Sequence, residues 1–143
     1  MKNKLKCILL VDDDEATNFI NKMVLDRSNI AEHIEVTWNG REALDYLTCQ
    51  GKYESNANNY PQPSLIFLDI NMPRMDGWEF MDEYSKLADY QKGGIVIIML
   101  TTSLNPDDKN KAENIKDISE FKNKPLNYGT VDGIMKKYYP NMI

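Results

Sequence analysis

Three consecutive aspartates, Asp12, Asp13 and Asp14, close an apolar run that begins at Cys7, and a fourth, Asp69, closes the apolar run 65–68. Thr101 ends a third run, 95–100, and Lys124 ends a short one just before Pro125. Clustered carboxylates repel one another and resist joint ionisation unless a cation is held among them. Aspartate and carbonyl oxygens suit Mg2+, which uses one or two carboxylates together with phosphate oxygens and water. A carboxylate can attack phosphorus to give an aspartyl phosphate, and phosphoryl transfer needs little more than positioning and charge neutralisation. Lys124 supplies a fixed cation and Thr101 a hydroxyl donor. A unit charge pair ~4 Å apart at an effective dielectric near 20 is worth roughly 4 kcal/mol before desolvation. Helix capping accounts for Asp14 or one of its neighbours, but not for a further acid at the end of a second run.

These groups meet only if the runs are strands of one sheet. The chain has 143 residues, enough for one domain of common size. Continuous apolar runs such as 7–11 read as strands buried on both faces. Residues 15–28 show helical spacing, with Ala16, Phe19, Ile20, Met23 and Val24 on one face. A weaker strand, 33–37, includes the single histidine, His33, which is expected at the surface or half-buried. Asn39-Gly40 leads into a helix carrying Ala43, Leu44 and Leu47. A helix over 77–88 turns Phe80, Met81, Tyr84 and Leu87 inward. Asn105-Pro106-Asp107-Asp108 is a helix start, with a good N-cap, a proline that suits the first position and acids near the positive end. A strand over 119–123 and a helix over 128–139 complete the pattern.

Strand and helix signals therefore alternate in five βα units. This predicts a doubly wound α/β fold: a five-stranded parallel sheet, order 2-1-3-4-5, with five helices. Ligands of such sheets bind beyond the carboxyl ends of the strands, at the switch point between strands 1 and 3. Residues 12–13 and 69 end those two strands. One segment breaks the rhythm. Residues 50–63 are polar, Asn-rich and bounded by prolines, hence a long loop. It reads as a tolerated insertion, or more pointedly as a partner contact through Tyr53 or Tyr60.

Composition narrows the function. The net charge of −5 argues against direct DNA binding. Neither a signal peptide nor an apolar run of membrane-spanning length is present, so a cytoplasmic location is expected. Two cysteines, Cys7 and Cys49, are too few and too far apart for a metal framework. Cys7 is expected to be a buried small hydrophobe and Cys49 to lie near a helix end.

Val11-Asp12-Asp13, the run 68–77 reading L-D-I-N-M-P-R-M-D-G, Leu100-Thr101-Thr102-Ser103 and Lys124-Pro125 together resemble the signature blocks of response-regulator receiver domains. The resemblance covers about residues 5–140 of a single 1–143 domain with no output domain. It implies that Asp69 accepts a phosphoryl group. It further implies that Asp12, Asp13, Asp69 and the Asn71 backbone carbonyl hold Mg2+, and that Thr101 and Lys124 contact the phosphoryl group. Thr101 and Phe121 would form the conformational switch. The Lys124-Pro125 bond is often cis in this family. Phe121 lacks the hydroxyl of the more familiar tyrosine, and Asn71 and Ser103 fall where dephosphorylation is tuned. The implied partners are a sensor histidine kinase or histidine phosphotransfer protein and a downstream protein target, with neither DNA nor membrane engaged directly. No enzymatic activity is expected beyond self-catalysed phosphoryl uptake and hydrolysis. A haloacid-dehalogenase-type phosphatase would carry a second aspartate where Asn71 stands. A flavodoxin-like FMN carrier would need a hydroxyl- and glycine-rich loop where the three aspartates repel phosphate. A receiver that serves only as an unphosphorylated docking module is the third alternative.

Overall fold

The computed structural model describes residues 4–54, 60–102 and 104–142. Part of the 50–63 loop, and Ser103 with its tuning position, lie outside the described residues. Five parallel strands, β1 (Leu5–Val11), β2 (Ala31–Thr37), β3 (Leu65–Leu68), β4 (Val96–Thr101) and β5 (Glu120–Asn123), form one sheet in the order β2-β1-β3-β4-β5. The helices among the described residues are α1 (Glu15–Ser28), α2 (Gly40–Thr48), α3 (Gly77–Ser85), α4 (Asp89–Lys92), α5 (Pro106–Glu113) and α6 (Tyr128–Tyr138). The expected topology is thus observed, with one more helix than the five read from the sequence. The stretch expected to run helical to residue 88 stops at Ser85. Backbone extension at Ala88 then separates it from the single turn of α4.

Side chains alternate across the sheet, as strand geometry requires. Cys7, Leu9, Val11, Ile66, Leu68, Ile97 and Met99 face one core with Ala43, Leu44, Leu47, Phe80, Met81 and Tyr84 of α2 and α3. Leu5, Ile8, Leu10, Leu65, Phe67, Ile98 and Leu100 face the other, with Val24 and Leu25 of α1 and Val131, Ile134 and Met135 of α6. Fully burying one such side chain contributes about 1.5–3 kcal/mol. The sheet is therefore a rigid base for whatever its strand ends carry.

The helix starts are set by their caps. Asp14, Asn39, Asp76, Asn105 and Asn127 each accept a backbone N–H of the first turn that follows. Asp76 and Glu79 complete a reciprocal capping box on α3.

The face of α1 differs from expectation. Phe19 is 70% and Ile20 41% exposed, and Ala16 is exposed too. Asn18, Asn21, Val24 and Leu25 are the residues turned inward. Two asparagines displace the apolar side chains because their amides find backbone partners below the helix. The tyrosines of the 50–63 loop also do not stand free at the surface. The loop opens with a 3-10 turn, Gly51–Tyr53. The Tyr53 ring is buried, and Tyr46, Tyr53 and Tyr60 pack edge-to-face with centroids 4.8–5.8 Å apart. Tyr53 is therefore structural, and its hydroxyl donates to Glu42. Cys7 is fully buried, Cys49 caps the end of α2, and His33 is half-buried beside Glu35.

Candidate functional site

The β1–β3 register pairs Val11 with Leu68, so the next residues, Asp12 and Asp69, emerge side by side. The Asp69 amide donates to Val11 O at 2.9 Å, and the Asp12 amide to Thr37 O at 3.1 Å. On the far side, β4 places Thr101 opposite Asn123 of β5, and the Lys124 amide donates to Thr101 O at 2.9 Å. Four strand ends thus deliver Asp12, Asp69, Thr101 and Lys124 to one edge, astride the point where the strand order reverses.

Glycine makes that edge possible at α3. A Cβ on Gly77 would lie 2.4 Å from Asp69 O and 3.0 Å from Ile70 Cα. The helix start therefore presses directly on the backbone of Asp69, and the Gly77 amide donates to Ile70 O at 2.7 Å.

The carboxylates are close and mostly enclosed. Asp12 is 4% and Asp69 7% exposed, whereas Asp13 is exposed. One carboxylate oxygen from each of the three lies within 4.8 Å of the others. Lys124 Nζ bridges the buried pair, 2.5 Å from Asp12 Oδ2 and 3.1 Å from Asp69 Oδ1. Burial raises the Asp69 pKa, and the Asp12 charge raises it further, against the pull of Lys124. Burial alone would depress Lys124, but its hydrogen bond to Asp12 and the charges of both acids outweigh it and raise its pKa. A buried acid pair that one ammonium leaves under-compensated has room in its charge balance for another cation. All of the cluster's ligating atoms are hard oxygens. The residues therefore fit a divalent ion.

Asp14 stands apart from the cluster. Its carboxylate accepts the Thr17 hydroxyl and amide, which lowers its pKa, and its own amide donates to Asp12 Oδ1 at 2.9 Å. It is the cap among the three. Asn71 is exposed in the loop that follows Asp69. Thr101 is buried as the last residue of β4. Phe121 is half-buried in β5, paired with Met99, and packs on the core shared with α3. The Lys124-Pro125 bond is cis, as the resemblance implies. Sequence reasoning missed Asn18 and Asn21, whose spacing of three places two polar side chains on one helix face.

The family model described as "Response regulator receiver domain" matches residues 8–136. The chain belongs to this family. It is accordingly a response regulator receiver of two-component signalling. Among curated proteins, "Response regulator Rcp1" of Synechocystis sp. is 39% identical over 106 residues, 74% of this chain and 68% of that protein. Among solved structures, the two component response regulator from Cytophaga hutchinsonii superposes with a TM-score of 0.80 at 30% identity, covering 94% of this chain and 97% of that one. The Mn(2+)-bound form of response regulator Rcp1 superposes at 0.75 with 31% identity over 96% of each chain. Membership implies a phosphodonor such as a histidine kinase and a downstream target, and sets the receiver outside the families of turnover enzymes. Receivers bind a divalent metal at acidic residues, and the acid cluster is the matching place in this chain. Among the described residues no helix is long and apolar enough to cross a membrane.

Proposed function

We propose that Asp69 is the phospho-acceptor of this receiver, with Asp12, Asp13, Asp69 and the Asn71 carbonyl as the holders of Mg2+ and Lys124 and Thr101 as the phosphoryl contacts. The observation that carries this is the shared ammonium of Lys124 between Asp12 and Asp69, two enclosed carboxylates on adjacent strand ends. In the reaction, a carboxylate oxygen of Asp69 attacks phosphorus of a phosphohistidine or a small acyl phosphate. A P–O bond forms as the P–N or P–O bond to the donor breaks, and the donor leaves with the electron pair. Bound Mg2+ supplies neutralisation of the phosphoryl oxygens. Lys124, already raised in pKa by its two acids, stays protonated throughout and moves its hydrogen bond from carboxylate to phosphoryl oxygen. The Thr101 hydroxyl donates to the same group. Its movement toward the adduct frees space that Phe121 takes up, which alters the surface built by the last two βα units.

The donor in this reading is a sensor histidine kinase or histidine phosphotransfer protein, and the output is contact with a protein or onward relay, without direct DNA or membrane engagement. The chain acts on itself alone, through phosphoryl uptake and hydrolysis. A cytoplasmic setting fits two unpaired cysteines, Cys7 and Cys49. Incubation with acetyl phosphate and Mg2+ followed by intact-mass measurement tests the assignment. One phosphoryl group is expected on the wild type and none on Asp69→Asn. Equal uptake by the two proteins would remove Asp69 from the role.

A further inference from the structure

We propose that Asn18 and Asn21 of α1 form a buried polar brace, with room for one water, that holds the acid-bearing end of β1 at a fixed distance from the turn carrying Lys124. This makes them positioning residues of the acid site, and the proposal rests on the reading of that site given above.

Three observations carry it. Asn18 is 3% and Asn21 2% exposed, on the face of α1 that turns toward the sheet. The Asn18 amide nitrogen donates to the backbone carbonyl of Asp12 at 2.8 Å. The Asn21 amide oxygen accepts the backbone N–H of Leu126 at 3.3 Å, two residues past Lys124. One turn of helix therefore grips the main chain at Asp12 and at Leu126, two residues beyond Lys124, while the Asp12–Lys124 ion pair joins the two segments through side chains.

The third observation is a gap with a polar wall. A cavity of about 10 Å³ is lined by Asp12, Asp69, Asn18 and Asn21 together with apolar residues of the sheet that include Phe67 and Leu100. That is about the smallest space that admits one water. The donation to Asp12 O fixes which way the Asn18 amide points, and its Oδ1 is left buried without a partner. An unsatisfied buried acceptor costs about 1–3 kcal/mol. A water held in this cavity, which Asn18 lines, would remove that cost by donating to Oδ1. The brace thus adds stiffness where the acids most need it, since their mutual repulsion would otherwise spread the strand ends.

The test compares Asn18→Leu and Asn21→Leu with Leu25→Ala, a truncation of a buried apolar residue in the same helix. Each folded protein is titrated with Mg2+ by calorimetry, and its phosphoryl uptake from acetyl phosphate is timed at saturating Mg2+. Asn18→Leu should weaken Mg2+ about tenfold, the low end of what outer partners of metal ligands contribute. Asn21→Leu should leave Mg2+ affinity near wild type and slow uptake several-fold, because it acts on the Lys124 side. Leu25→Ala should lower the melting temperature and move neither quantity. If both asparagine variants match Leu25→Ala in affinity and rate, the brace is only packing and the proposal is overturned. A wild type that binds Mg2+ but takes up no phosphoryl group would defeat the phospho-acceptor reading instead, and the tenfold shift in Asn18→Leu would then decide the brace by itself.

Discussion

At the residue scale, the unusual feature is a lysine shared by two enclosed acids. Taking charges from water is expensive, and removing one member of such a group leaves the others uncompensated. Lys124→Ala should therefore cost about 3 kcal/mol in metal-free buffer. It should also make Mg2+ a stronger stabiliser than it is for the wild type, because the ion no longer competes with an ammonium for Asp12 and Asp69. Thermal denaturation with and without Mg2+ checks this. An equal Mg2+-induced rise in melting temperature for the two proteins would show that Lys124 and the ion do not share these oxygens. Asp12, Asp69 and Thr101 were legible in the sequence because each follows an apolar run, and Lys124 because a proline follows it. What could not be read was which aspartate of the three caps the helix, since all three satisfy the composition rule for a cap. Geometry selects Asp14, whose carboxylate reaches the Thr17 amide.

At the element scale, the starts of α1 and α3 determine where the acids point. Gly77 is the clearest case, since any side chain there meets the Asp69 carbonyl at the first carbon. Gly77→Ala should destabilise the fold by about 1–3 kcal/mol, as overpacking does. It should also cut phosphoryl uptake out of proportion to that loss. The check is to compare uptake of the variant with that of a core truncation of equal stability, and matching rates would show that α3 does not position Asp69. Strands buried on both faces were legible because an unbroken apolar run, bounded by polar residues and too short for a helix, fits little else. The apolar periodicity of α1 points to the wrong face because it tracks apolar side chains alone. The inward stripe includes Asn18 and Asn21, satisfied by main-chain groups of other elements. The break between α3 and α4 was hidden because Leu87 keeps helical spacing across it and packs on the core.

At the scale of the whole molecule, the sheet holds a titratable thiol at its centre. Cys7 is fully buried, 3.4 Å from the Tyr46 hydroxyl, and burial pushes its pKa from 9.0 up to about 11. The folded state then keeps a proton that the unfolded chain releases, so stability falls as pH rises from about 9 to about 11. The slope is at most about 1.4 kcal/mol per pH unit for one group. Tyr84 and Tyr139, pushed up to about 12 by burial, extend the fall at higher pH. Urea unfolding across this range should show that Cys7→Ala is flatter between about pH 9 and 10 and still declines above. Parallel curves for the two proteins would deny the thiol a role. The long loop after α2 was legible as a loop, but the packing of Tyr53 and Tyr60 on the core was not. Its tyrosines close over Tyr46, a contact between segments that no local pattern announces.

The function proposed for this receiver comes down to one carboxylate, Asp69, as the bearer of the phosphoryl group. Reductive trapping with borohydride after exposure to acetyl phosphate and Mg2+ converts an aspartyl phosphate to homoserine, and peptide sequencing by mass spectrometry then reads its position. Homoserine is expected at residue 69 alone. Homoserine at residue 12 or 13, or at no aspartate, would refute the assignment of Asp69.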